Sequence, residues 1–386
     1  MQRPTYRKTS RNRYATTLLL LIATLAAKNI YAQWDIEESH TTASLRGIHN
    51  VGGGVAWASG TNGTVLRTED GGYLWQTCTI SPGAEKLDFR GIQAFDENTA
   101  IVMSSGKGDL SRLYKTTDGC QTWKLLFTNP DKEGFWDAIQ FQDKKYGVLL
   151  GDPVGGHFYT RVTSDGGLTW KHFDNDDNLK TSNPNSGVFA ASNSTIFLSS
   201  NTWLLAVMNE NGKAILVENS FGELPCKQRP CPKGFCWWEP ENAQLGQLTP
   251  SGGVFSLAVS LNDGGGIEAM VAVGGDYQKP NERNLTASYS SGSDWILSQT
   301  PPHGYRSSVA YDPTQKLWIT VGPNGTDISR DDGKNWTPLK PSGYDPPDAD
   351  KNWNALSLPF VVGPHGRIGR LRTITQKPEA PPPPEK

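Results

Sequence analysis

The chain is poor in the residues that most catalytic and nucleic-acid-binding classes depend on. Of its 386 residues only five are Cys and six are His. His49, His172, His303 and His365 stand singly in loops and hairpins with no metal-ligand spacing, and read as surface residues. No Gly-x-Gly-x-x-Gly joins a strand to a helix, and no flavin or haem attachment motif occurs, so no cofactor follows. Basic residues do not exceed acidic ones, 37 against 39, which gives no support to nucleic-acid binding. Beyond residue 27 no apolar run approaches membrane-spanning length, so direct membrane insertion is not expected. Helical stretches are few, while Gly (41) and Trp (13) are abundant, a composition that fits an all-β protein.

The one apolar run lies at the start. Residues 1–14 carry Arg3, Arg7, Lys8, Arg11 and Arg13 and no acid, Ala15 to Ala27 is almost wholly apolar, and Ile30-Tyr31-Ala32 offers a small residue at a cut. This is the pattern of a secretory signal peptide cleaved after Ala32. With no Arg-Arg pair and no lipobox Cys, the product is expected to be soluble and periplasmic or secreted. Removing residues 1–32 leaves 31 basic against 39 acidic residues, a formal charge of −8.

What the mature chain has in excess is repetition. Thr68-Glu-Asp70-Gly-Gly72-Tyr-Leu-Trp75 returns as Thr116-Thr-Asp118-Gly-Cys120-Gln-Thr-Trp123 and Thr163-Ser-Asp165-Gly-Gly167-Leu-Thr-Trp170, then as Ser288-Tyr-Ser290-Ser-Gly292-Ser-Asp-Trp295 and Ser329-Arg-Asp331-Asp-Gly333-Lys-Asn-Trp336. A hydroxyl is followed by Asp two on, Gly four on and Trp seven on. Only the second copy loses the Gly and only the fourth the Asp. Asp accepts from nearby backbone N–H groups, Gly supplies left-handed backbone, and Trp returns to a strand with a large apolar face. Because a turn is needed in every unit and a catalytic acid only once, Asp70, Asp118, Asp165 and Asp331 read as structural.

Short apolar runs recur upstream, marked by Arg46, Arg90, Trp136, Phe189, Phe255, Arg306 and Asn354, at gaps of 44, 46, 53, 66, 51 and 48 residues. Asn-Gly hairpin signals such as Asn62-Gly63 and Asn324-Gly325 lie between the two elements. Each unit thus reads as four antiparallel strands. The chain predicts an all-β, seven-bladed β-propeller over 33–372, with the long unit fourth. The last unit stops after Leu371 without its outer strand, and Gln33–Ser39 belongs to no other unit. The mature N-terminal strand is therefore expected to close the ring. Residues 373–386 are a Pro-rich disordered tail.

Cys226, Cys231 and Cys236 crowd into the long fourth unit, where one disulfide stapling the loop is expected in an oxidising compartment. A metal site is the alternative, but the spacing matches no familiar zinc pattern and no His is near. Cys78 and Cys120, in neighbouring units, are expected as free thiols.

The boxes match the Asp boxes (BNR repeats) of sialidase-repeat propellers. Together with the Arg-Gly-Ile strand starts, they make 33–372 resemble the photosystem II stability/assembly factor-like propellers. Gly151-Asp-Pro-Val154, Gly274-Gly-Asp-Tyr277 and Asn354-Ala-Leu-Ser-Leu-Pro359 resemble the non-photosynthetic bacterial branch. The resemblance implies a seven-bladed, non-catalytic binding or assembly scaffold, here expected as a monomer. It also implies a protein partner, of the kind of a membrane-protein assembly intermediate, docked through arginines on one face. Arg46, Arg90 and Arg306 hold matched positions at three blade starts, with Asp137 and Asn354 at comparable points in others, and these five are the expected channel-mouth binding residues. The competing reading is a glycan-active hydrolase, sialidase-like or other, using the mouth with Asp137, Asp152, His157 and Asp276, where a nearby arginine would lower the Asp137 pKa. Against it, the sialidase Arg-Ile-Pro start and a Tyr/Glu nucleophile pair are missing.

Overall fold

The computed structural model describes residues 33–374 except 81, 173–179, 184–185, 199–202, 211–212, 221–240, 243–244, 246–248 and 292–293. The expected signal peptide, the Cys226–Cys236 cluster and the Pro-rich tail lie outside the described residues. Strands dominate, and they form seven sheets of four antiparallel strands each. Six sheets follow sequence order without a crossover, at 45–78, 89–128, 136–172, 196–242, 252–297 and 308–338. In the remaining sheet Ala355–Ser357, Phe360–Val362 and Ile368–Leu371 are joined by Trp34–Glu37 from the other end of the chain. Side chains are described on every strand in six of the seven sheets. In the sheet of the long fourth unit, 196–242, the backbone pairing is described, but beyond its first strand the only described side chain is that of Asn209.

Alternation along each strand decides what packs where. Faces of adjacent sheets share apolar clusters. Trp57, Val65 and Cys78 of the first sheet pack with Phe89, Ile92 and Val102 of the second, and Ile101, Met103 and Leu113 of the second pack with Trp136 and Leu149 of the third. The core is thus a ring of inter-sheet layers rather than a single centre.

Closure follows the missing-strand expectation. Trp34–Glu37 pairs antiparallel with Ile368–Leu371, from Trp34 opposite Leu371 to Glu37 opposite Ile368. Trp34 is buried and stacks on Trp353 with centroids 5.7 Å apart. Asp35 pairs with Arg370 at 3.0 Å and Arg372 at 2.6 Å, and Glu37 accepts from Trp75 Nε1 of the first sheet at 2.9 Å. The closing strand thereby touches both sheets of the seam.

The repeated boxes share one hydrogen-bond scheme. The hydroxyls of Thr68, Thr116, Thr163 and Ser329 donate to Asp70, Asp118, Asp165 and Asp331 at 2.9 Å. The same oxygens accept the buried N–H of Gly72, Cys120, Gly167 and Gly333 at 3.0 to 3.1 Å. The aspartates accept the more exposed N–H groups of Leu74, Thr122, Thr169 and Asn335. The buried donor therefore depends on the hydroxyl residue, and the Asp orients that hydroxyl.

The second box explains its own irregularity. Cys120 stands where the other boxes have Gly and holds a left-handed φ of 67°. It is bonded to Cys78 in the outer strand of the first sheet, across 42 residues of sequence. The two expected free thiols are a disulfide between neighbouring sheets. Sequence spacing alone hid this, because only the ring packing brings Cys78 beside the second box.

Candidate functional site

The mouth is built where the innermost strands begin, and bulges shape it. Pairing slips between Leu45 and Gly47, Phe89 and Gly91, Trp136 and Ala138, and Val254 and Ser256. The skipped residues are Arg46, Arg90, Asp137 and Phe255. A bulge leaves its extra residue unpaired and re-aims the side chain. The facing strand must come close, which is why Gly60 and Gly151 stand opposite: a Cβ there would collide with the backbone oxygens of Ser44 and Phe135. At these four positions the bulged residue lines one cavity of about 1080 Å³.

Arg46, Arg90, Asp137 and Asn354 all line that cavity, together with Asp152. Arg306 does not. It is fully buried and ion-paired with Asp327, and it donates from Nη1 to Tyr305 O at 2.7 Å and to Asn324 Oδ1 at 2.6 Å. His303 completes the cluster, with Nδ1 2.7 Å from Asp327 Oδ1. Arg306 is therefore corrected from a mouth residue to a buried structural one, because its carboxylate partner sits on the next strands of its own sheet. Its signal in the sequence is Asp327, which stands in Asn324-Gly-Thr-Asp327 where the first unit has Val65 in Asn62-Gly-Thr-Val65. His303, expected as a surface residue, belongs to this pairing.

The two remaining arginines differ in how fully they are paired. Arg90 Nε donates to Asp88 at 2.8 Å and Nη1 to Ala190 O at 3.2 Å. Arg46 Nε is buried and has no hydrogen-bond partner among the described residues. Burial, and then repulsion from Arg90, push the Arg46 pKa down. Two guanidiniums close enough to repel face the same space with one under-paired.

Asn354 lines the cavity but is engaged: its Nδ2 donates to Leu45 O at 2.7 Å, tying the last sheet to the first. Asp137 is also corrected. Its side chain is almost wholly buried, and burial followed by the Asp152 charge raises its pKa well above the usual carboxylate range, outweighing the lowering by Arg90. Asp152 is likewise raised by burial, against a hydrogen bond of 2.9 Å from Val188 N. The expected lowering fails because desolvation exceeds the attraction of one cation. His157 and Asp276 are not among the cavity-lining residues. Asp276 accepts from Gln278 N at 2.9 Å and Thr249 Oγ1 at 3.1 Å, holding its own loop.

The aromatic wall of the cavity was not read from the sequence as a site. Phe189 and Phe255 stack with centroids 3.9 Å apart, and Tyr305 and Tyr277 stand edge-on to Phe255 at 4.8 and 6.2 Å. Phe189 and Phe255 occupy the marker position that carries Arg in the first two units, so the signal was an alternation of Arg and Phe at one repeated place. Tyr277 is half exposed. Among the described residues no cluster of three or more His, Cys, Asp or Glu could hold a metal, and no helix is long and apolar enough to cross a membrane.

No protein-family model and no curated protein matches the chain. Solved structures do. YCF48 bound to a D1 peptide is 17% identical with a TM-score of 0.57, covering 89% of this chain and 98% of that one. YCF48 from Cyanidioschyzon merolae is 16% identical with a TM-score of 0.58, covering 88% and 99%. The GH74 xyloglucanase from Xanthomonas campestris is 14% identical with a TM-score of 0.58, covering 88% of this chain but 54% of that one. At these identities the likeness is one of fold: this chain is an all-β propeller of four-stranded antiparallel blades, similar in fold to YCF48.

Proposed function

We propose that the chain is a non-catalytic binding scaffold of the periplasm or cell exterior, whose mouth takes up a segment of a protein partner, with an intermediate in membrane-protein assembly as the partner class. One observation carries this reading. Arg46, under-paired, and Arg90 share an open cavity with an apolar shelf of Phe189, Phe255 and Tyr277. A planar guanidinium recognises carboxylate through two parallel hydrogen bonds, and stacked aromatics supply contact area at low entropy cost. YCF48, similar in fold, is seen with a bound peptide, which supports a peptide segment as occupant here.

The test uses the tagged, processed chain to capture proteins from its native envelope. Capture should weaken as salt rises, because exposed ion pairs are screened. Arg46→Glu with Arg90→Glu should abolish it while the fold is kept. Equal capture by the double variant would remove the mouth from the account.

The hydrolase reading has one observation in its favour, the two adjacent raised carboxyls Asp137 and Asp152. It asks for two carboxyls flanking a sugar-sized cleft. Asp137 is almost wholly buried, which withholds one of them. Turnover of a panel of fluorogenic glycosides, lost in Asp152→Asn, would reverse the assignment.

A further inference from the structure

The closing strand begins in an unusual cradle. The backbone nitrogen of Gln33 lies 2.9 Å from Asp345 Oδ1 and 3.1 Å from Oδ2, and Trp34 N donates to Oδ1 at 2.9 Å. An amide nitrogen has one hydrogen to offer, whereas an ammonium has three. One amide hydrogen can reach both carboxylate oxygens only by being shared between them, whereas an ammonium would offer each its own. The carboxylate is itself fixed by Ser342, whose N and Oγ donate to Oδ2 at 2.7 and 2.6 Å. Gln33 O accepts Arg372 N at 2.9 Å, so the position of the residue is set from both sides. Independently, the leader pattern places the expected cut after Ala32, at this same nitrogen.

We infer that removal of residues 1–32 turns Gln33 N into an α-ammonium that docks on the Asp345 carboxylate as an ion pair, locking the strand that closes the ring only after processing. The step is hydrolysis of the Ala32–Gln33 peptide bond by a leader-type peptidase. Water supplies one oxygen of the new Ala32 carboxylate and two protons, which join the former amide hydrogen on Gln33 N to make the ammonium. The inference rests on the processing part of the proposed function and is independent of the mouth.

The charges around the cradle fix the sign of its pH dependence. Burial raises the Asp345 pKa, and hydrogen bonds from Ser342, Gln33 and Trp34 outweigh it, so the carboxyl is held below its ordinary value. Asp35 on the same strand is taken by Arg372 and Arg370, leaving Asp345 as the acid bonded to the amine. Tyr344, with Lys340 nearby in sequence, belongs to the same loop. An α-amine titrates near about 8 when free, and an adjacent carboxylate raises that value. Its contribution is therefore fully present below the free-amine pKa and lost as pH rises through the higher folded value.

The full chain is expressed with its leader and recovered after export. Terminal sequencing should read Gln33 first, and intact mass should show no loss of ammonia from cyclised Gln33. Acylation of the α-amine by a small activated ester should be at least roughly tenfold slower than in Asp345→Asn, the order expected from one strong ion pair. A Gly inserted between Ala32 and Gln33, which displaces the ammonium but leaves Asp345 intact, should restore fast acylation and erase the alkaline fall in Tm. This second variant carries the test if Asp345→Asn does not fold. A different first residue, a cyclised Gln33, or equal acylation rates and Tm profiles in wild type and the Gly insertion would each overturn the inference.

Discussion

Arg46 and Arg90 on one side, and Arg306 on the other, hold the same place in their repeats and meet opposite fates. Arg306 is buried, ion-paired with Asp327 and hydrogen-bonded on each nitrogen. Arg46 and Arg90 sit on bulges facing an open cavity, and Arg46 Nε has no partner among the described residues. A matched position in a repeat fixes where a side chain starts, while the neighbouring strand decides whether it is used for folding or left for something else. Asp327 in the sixth unit consumes Arg306, whereas the first unit has Val65 at the matching place in sequence and Arg46 Nε has no partner among the described residues.

The largest expected effect breaks the comparison at its buried end. Arg306→Ala leaves Asp327 without its cation and should cost about 3–5 kcal/mol in chemical denaturation. Arg46→Ala strands no buried partner and should cost less than about 1 kcal/mol. Equal losses would show that both arginines serve the fold. Next in size is the tie between the first two sheets: Cys78→Ser with Cys120→Ser opens a 42-residue loop and should cost about 2–4 kcal/mol under non-reducing conditions.

Within the boxes the hydroxyl should outweigh the acid. Thr163→Val strands the buried Gly167 N–H and should cost about 1–3 kcal/mol, while Asp165→Ala releases exposed donors and should cost about 1 kcal/mol or less. The reverse order would restore the Asp as the main closing group. The smallest effect is at the seam. Burial raises the Glu37 pKa from 4.5 to about 7, against a hydrogen bond from Trp75. The folded state then binds more protons than the unfolded one between these values, so stability falls as pH rises across that window. Glu37→Gln should flatten this fall in a Tm-versus-pH series, and an unchanged slope would place it elsewhere.

Period, turn chemistry and the unpaired last unit made the propeller and its closing strand legible, because these are local signals repeated many times. The site was legible in half. Arg46, Arg90, Asp137 and Asn354 were found through their shared position, but burial state is set by strands far away in sequence. That is why Arg306 and the direction of the Asp137 shift were misread. Phe189 and Phe255 were visible as repeat markers, and their joint role as a wall appears only when neighbouring units pack together around one cavity. The Cys78–Cys120 bond was hidden for the same reason.

The most direct measurement compares stability and capture in one double variant. Arg46→Glu with Arg90→Glu, produced in the same way as the wild type, should melt within a few degrees of it and lose salt-sensitive capture of the proposed protein partner. A variant that unfolds, or that captures the partner at wild-type strength, would contradict the claim that the mouth arginines are held for recognition rather than for the fold.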